Sequence, residues 1–168
     1  GKTIVKEWLN QLISADWKIV RSPRSYNSQV GVPLSVWLMD NETQLGIFEA
    51  GISQVGEMQR LQPIIRPTIG VLTNIGQAHQ ENFTSLEEKC IEKLQLFSVC
   101  QKLVFNADSD LIPHCMTKAG IRQEQLLPWS RLDDTCPLYI CKVEKGTEST
   151  LITYRYQGEN GQYTLPFI

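Results

Sequence analysis

Gly1-Lys2-Thr3 stands directly ahead of a helical apolar pattern, which is how the last three positions of the phosphate-binding motif G-x-x-x-x-G-K-[ST] run into their helix. In that motif a glycine-rich turn points backbone N–H groups at phosphates, the lysine adds a point charge, and the hydroxyl holds Mg²⁺. Only these three positions are present, so the start reads as the edge of an excerpt. Two further polar residues stand where apolar runs end. Glu49 closes Leu45-Gly46-Ile47-Phe48. A carboxylate there either reaches solvent or needs a cation or hydrogen-bond donors, because desolvating it alone is costly. His79 follows the apolar run 69–73. A Glu and a His with a P-loop hydroxyl would suit Mg²⁺ held by few protein ligands plus phosphate oxygens, although His is an uncommon ligand for that ion. No Ser-His-Asp or Cys-His nucleophile pair stands out.

The elements that must position these groups follow from periodicity. Ile4, Trp8 and Leu12, with Val5, Leu9 and Ile13, form two adjacent helical rows that should bury one face of a helix ending near Asp16. A strand is expected over 18–22, a loop over 23–31, and a second helix from Pro33 to about Met39. Strand 45–50, helix 55–65 and strand 69–73 come next, followed by a polar loop over 74–82. Ser85 and Glu88 make a capping box for a helix to about Val99, and 102–106 is another strand. Strands alternating with helices predict an α/β fold, a P-loop-type, mostly parallel sheet flanked by helices on both faces. Its carboxyl edge is where ligands collect, and Thr3, Glu49 and His79 all fall there. Beyond Pro128 the pattern becomes three strands, 138–143, 150–156 and 163–168, with turn signals at Lys145-Gly146 and Glu159-Asn160-Gly161. The expected division is a parallel core over 1–127 and a small antiparallel flap over 128–168.

The charge balance, 16 Lys+Arg against 18 Asp+Glu, offers no electrostatic reason for nucleic acid or an acidic membrane as partner. No apolar run approaches the roughly 18 residues of a membrane span, and the first residues lack the layout of a secretion signal. Five cysteines without a C-x-x-C pair, and two histidines, argue against a zinc site or a disulfide framework and for reduced cysteines of a cytoplasmic protein. His114 reads as structural or exposed, and Trp8, Trp17, Trp37 and Trp129 form no stripe for base stacking.

The run Thr73-Asn74-Ile75-Gly76-Gln77-Ala78-His79-Gln80-Glu81-Asn82-Phe83, followed by Ser85-Leu86-Glu87, resembles the Asn-Ile-Gly-x-Ala-His signature of the Mur ligase family. Those enzymes are ATP-dependent amide-bond ligases of peptidoglycan precursor synthesis. Gly1-Lys2-Thr3, Ser25-Tyr26-Asn27-Ser28-Gln29-Val30-Gly31-Val32-Pro33-Leu34, and Phe48-Glu49-Ala50-Gly51 with Gly56-Glu57 agree in order and spacing, and the likeness is dense to about residue 110. It implies that the 168 residues are a fragment of one central ATP-binding domain, without the UDP-binding and C-terminal domains, and inactive as a ligase alone. It further implies that Gly1 and Lys2 meet the phosphates of ATP and that Thr3, Glu49 and His79 attend Mg²⁺. Asn27 would lie near the γ-phosphate and the acyl acceptor, and Asn106 would meet the adenine. Lys93 would take up CO₂ to become a carbamate for a second metal; its plainer reading is a solvated surface lysine. Asn27 and Asn106 likewise have plain readings, as a turn residue and a strand-end residue. The Ser-Tyr-Asn, Gly-Val-Pro-Leu and Gly-Glu-Met features most resemble the member that joins D-alanyl-D-alanine to UDP-N-acetylmuramoyl-tripeptide. A ligase of the same family with another substrate, including the folylpolyglutamate type, a generic P-loop phosphotransferase and a non-catalytic nucleotide-binding module are the alternatives.

Overall fold

The structure is a computed structural model and describes residues 1–76 and 80–166, with the side chain of Gln80 left aside. It opens with α1 (Lys2–Ile13), β1 (Ile19–Arg21), α2 (Gly31–Val36), β2 (Leu45–Ile47), α3 (Glu57–Ile65) and β3 (Ile69–Leu72). It continues through α4 (Leu86–Leu94), β4 (Lys102–Asn106), α5 (Leu111–Lys118) and β5 (Leu126–Ser130), and closes with β6 (Leu138–Lys145), β7 (Thr150–Tyr156) and β8 (Glu159–Leu165). Among the described residues no helix is long and apolar enough to cross a membrane.

The expected parallel architecture is present, divided into two sheets. β1 and β2 form a parallel pair, and β3, β4, β5 and β6 form the parallel part of a six-stranded sheet. The antiparallel flap, β6-β7-β8, is continuous with this second sheet through two register pairs, Trp129↔Leu138 and Ser130↔Tyr139. β5 has no counterpart in the periodicity reading, and it contains Pro128, a residue that central strands ordinarily exclude. Pro128 is tolerated because it precedes the point where β6 joins, so β5 is paired there with β4 alone.

Several boundaries differ from the expected ones for local reasons. α2 ends at Val36 and β2 at Ile47, so Glu49 stands two residues past its strand. At α4, Ser85 Oγ accepts the N–H of Glu88 at 3.0 Å, as the capping box requires, but the Glu88 carboxylate returns to the N–H of Thr84 at 2.6 Å. The helix then tightens into a 3₁₀ turn, Gln95–Phe97, instead of running on to Val99. In the flap the chain reverses at Gln157 and Gly158, both left-handed with φ of 51° and 89°, which is the backbone a two-residue hairpin needs. Asn160 and Gly161 are therefore paired inside β8, opposite Arg155 and Tyr154. Gly161 has a steric use there: a Cβ would come within 2.5 Å of the Tyr154 ring.

The core gathers Val32, Met58, Leu61, Leu72, Leu94, Leu103 and Phe105 with Cys90, Cys100 and Cys115. All five cysteines are free, and only Cys141 is exposed. Two expected apolar surfaces are open. The α1 row Ile4, Trp8 and Leu12 is exposed, and Ile69 and Val71 leave one face of β3 uncovered among the described residues. The buried residue of α1 is instead Lys6.

Candidate functional site

The start of α1 and the segments that follow β1 and β2 converge on Glu49. This carboxylate is 5% exposed, and both oxygens are engaged: Oε2 accepts the Thr3 hydroxyl at 2.8 Å and Oε1 accepts Nδ2 of Asn27 at 2.8 Å. Its backbone N–H donates to the hydroxyl of buried Ser22 at 3.2 Å. Asn27 is fixed from its other side, since the N–H of Gly51 donates to its carbonyl at 2.7 Å. Gly51 is needed for that approach, because a Cβ there would stand 3.0 Å from Asn27 Oδ1. Glu49 therefore does not turn to solvent; it is a buried carboxylate offset by neutral donors, and its charge is complementary to a cation. The Thr3 hydroxyl gives its proton to Glu49, so its lone pairs can accept or ligate.

Beside this cluster lies a cavity of about 170 Å³ lined by Lys2, Ile52, Thr73, Asn74, Gly76, Lys89 and Lys93. Lys89 and Lys93 are one turn apart on α4 and so share a face. Lys93 is half-buried, and its ammonium is destabilised first by burial, then by the charges of Lys2 and Lys89, which bring its pKa down to about 8. At that value roughly a tenth of Lys93 is the neutral amine at pH 7, where an ordinary lysine is almost wholly charged. A solvated surface lysine has neither feature. Lys89 was not singled out by the sequence. It is 2% exposed, its Nζ donates to the Gly76 carbonyl at 2.7 Å, and it lies 5.8 Å from the centre of the Phe83 ring. The available signal was its i, i+4 spacing to Lys93, a pattern equally typical of a solvated helix face.

The remaining residues divide. Gly1 is the N-cap of α1, and a Cβ there would stand 3.8 Å from Asn74 Oδ1, so the loop after β3 borders the start of the helix. Asn106 ends β4 in a separate network: its Oδ1 accepts the N–H of Asp108 at 2.8 Å. The Asp108 carboxylate accepts the Ser130 hydroxyl and, at 3.0 Å, the Arg131 N–H. Desolvation would raise the Asp108 carboxyl, but these bonds hold it below the ordinary range. His79 lies outside the described residues. His114 is an exposed partner of Glu87 at 3.3 Å. Among the described residues no three His, Cys, Asp or Glu side chains gather to hold a metal.

This arrangement can hold a polyanion at Lys2 and the cavity, with a cation between it and Glu49. Comparison with known proteins agrees in fold. The Mur ligase middle domain family matches residues 1–168. A UDP-N-acetylmuramoyl-tripeptide--D-alanyl-D-alanine ligase from Borreliella burgdorferi is 36% identical over 96 residues, covering 57% of this chain and 21% of the relative. A solved MurF from Acinetobacter baumannii superposes with a TM-score of 0.85 at 21% identity, over 99% of this chain and 36% of that one. The MurF ligase from Thermotoga maritima in complex with ADP gives 0.80 at 22% identity, over 98% of this chain and 38% of that one. The chain thus spans well under half the length of the relatives it matches. On the match across its whole length, and with the fold that accompanies it, the chain belongs to the Mur ligase middle domain family.

Proposed function

We propose that this chain is the central ATP-binding part of an ATP-dependent carbon–nitrogen ligase that joins D-alanyl-D-alanine to UDP-N-acetylmuramoyl-tripeptide, in the cytoplasm and together with the segments that complete its relatives. The observation that carries the proposal is the buried Glu49 carboxylate, held by Thr3 and Asn27 beside the Lys2, Lys89 and Lys93 cavity. The substrates are those named for the relative from Borreliella burgdorferi, and the nucleotide is suggested by the ADP-bound MurF ligase.

Phosphoryl transfer makes its main demand on positioning and charge neutralisation. Lys2 would carry charge to the β- and γ-phosphates. Glu49 and Thr3 offer hard oxygen donors of the kind Mg²⁺ takes, with His79 as a third member of the proposed set. When bound, that ion would neutralise charge on the transferring oxygens. Asn27, oriented by its bond to Glu49, would present its other polar atoms toward the γ-phosphate and the acyl acceptor. Asn106, at the end of β4, would meet the adenine. In the overall reaction the tripeptide carboxylate takes the γ-phosphoryl group and ADP leaves. The amine of D-alanyl-D-alanine then attacks the acyl carbon, and phosphate leaves.

Lys93 has the chemistry for one further step. As the neutral amine its nitrogen can attack CO₂, lose a proton and become a carbamate, turning a cation into an anionic oxygen ligand for a second metal. The depressed pKa favours this reaction at neutral pH. ADP release by the full-length protein tests the reading. It is expected to require both the UDP-linked tripeptide and D-alanyl-D-alanine; turnover with glutamate in place of the dipeptide would transfer the chain to another ligase of the family, and no turnover with any acceptor would remove the ligase reading.

A further inference from the structure

Lys6 is on α1 one turn after Thr3, so both side chains project from one face of the helix. It is 3% exposed. An ammonium has three donors and no acceptor, so burying it demands partners. Three are in place. Nζ donates to the carbonyl of Ser22 at 2.7 Å and to the carbonyl of Arg24, and lies 3.2 Å from Glu7 Oε1. Glu7 is itself paired with Arg21 Nη1 at 2.7 Å, so the position of the carboxylate is set by β1 as well.

Both carbonyls belong to the segment that leads from β1 to Asn27. Arg24 is left-handed there, with φ of 48°, a costly backbone for a non-glycine residue that a charge-assisted bond to its carbonyl helps to hold. Ser22 has a second bond, the one its hydroxyl accepts from the N–H of Glu49. Lys6 thus reaches Glu49 by two routes: through Ser22 to its backbone, and through Arg24 and Asn27 to its Oε1.

We propose that Lys6 is a positioning residue for the Glu49 carboxylate. Its ammonium fastens the 22–27 segment to the helix that carries Thr3, so that hydroxyl, amide and carboxylate meet in one geometry. Lys6 does not touch the reacting groups. Its kinetic consequence rests on the ligase reading, whereas its effect on Asn27 does not.

The test compares the full-length protein with Lys6→Met, which keeps the length of the stem and removes the charge, and Lys6→Arg, which keeps the charge. Hydrogen exchange of the Asn27 side-chain amide, followed by NMR, is expected to quicken about tenfold in Lys6→Met, as the bond to Glu49 opens locally more often. In the same variant kcat is expected to fall about 100-fold, the scale of a small misplacement of reacting groups, with KM for ATP within about threefold of the parent. Lys6→Arg is expected to recover at least about tenfold of the lost kcat, since it still offers charged donors. Unchanged Asn27 exchange and kcat in a folded Lys6→Met protein would overturn the proposal, as would equal losses in both variants. If Lys6→Met does not fold, Lys6→Gln, which removes the charge but keeps two donors, is read in its place: a rise of about threefold in Asn27 exchange supports the role, and no change overturns it. A parent without ATP turnover would count against the ligase reading alone, and the exchange comparison would still judge Lys6.

Discussion

Around Glu49 the structure buries polar side chains and hydrogen-bonds them: Lys6, Ser22, Glu49 and Lys89 are each at most 5% exposed. In the β6–β8 ribbon the reverse holds. Only Thr150 is buried there, and the strands are held by a backbone ladder with half-exposed side chains such as Tyr139, which stacks 5.6 Å from Arg155. Buried charge is an expensive way to stabilise a fold, since apolar groups of similar volume do as well or better. Its concentration around Glu49 and the neighbouring cavity therefore points to a requirement for geometry, while the ribbon rests on its backbone ladder.

The contrast predicts that changes around Glu49 cost function more than stability and that changes in the ribbon do the opposite. The largest effect is expected from Glu49→Gln, which keeps the shape and removes the charge. ADP release should drop about 10²- to 10³-fold, the scale seen when one electrostatic contact to a transition state is lost, with little change in the melting temperature. A variant with near-parent turnover would break the contrast at its centre.

Next in size is the pH dependence set by Lys93. Its folded pKa is lowered from 10.5 to about 8, so the neutral amine, the form that would take up CO₂ in the proposed step, increases with rising pH until about 8 and then levels off. Carbamate formation, followed with ¹³C-bicarbonate, should rise at most about tenfold per pH unit below that value, and Lys93→Met should abolish the signal. The sign for stability is the same. Between about 8 and 10.5 the unfolded chain binds more protons at this residue than the folded one, so the contribution of Lys93 makes the fold more stable as pH rises through that window.

Smaller effects belong to the ribbon. Gly158→Ala places a side chain at φ of 89° and should cost about 1 kcal/mol in chemical denaturation, with ATP affinity unchanged. Lys142→Ala removes an exposed ion pair to Glu144 and should change stability by less than about 0.5 kcal/mol. A ribbon variant that lost ATP affinity while keeping stability would show that the two regions are coupled.

What could be read from the sequence follows the same division. Alternating periodicity and the Ser85 cap were local signals, and the parallel strands and α4 bear them out. Glu49 was legible because a carboxylate at the end of an apolar run has few inexpensive options. Lys6 and Lys89 were not, since a lysine on an amphipathic helix ordinarily faces water. What buries them is backbone arriving from elsewhere, the carbonyls of Ser22, Arg24 and Gly76, which no spacing along the helix can announce. The hairpin failed for a related reason. Asn160-Gly161 has turn chemistry, yet Gly161 is required opposite the Tyr154 ring, and Gln157-Gly158 supplied the left-handed pair instead.

Calorimetry of ATP binding to the full-length protein, with and without Mg²⁺, tests whether Glu49 holds the metal when the parent is compared with Glu49→Ala. Mg²⁺ is expected to tighten ATP binding in the parent, and Glu49→Ala to remove this dependence while leaving weaker, metal-independent binding through Lys2. Binding of ATP with the same affinity and the same Mg²⁺ dependence in Glu49→Ala would contradict it.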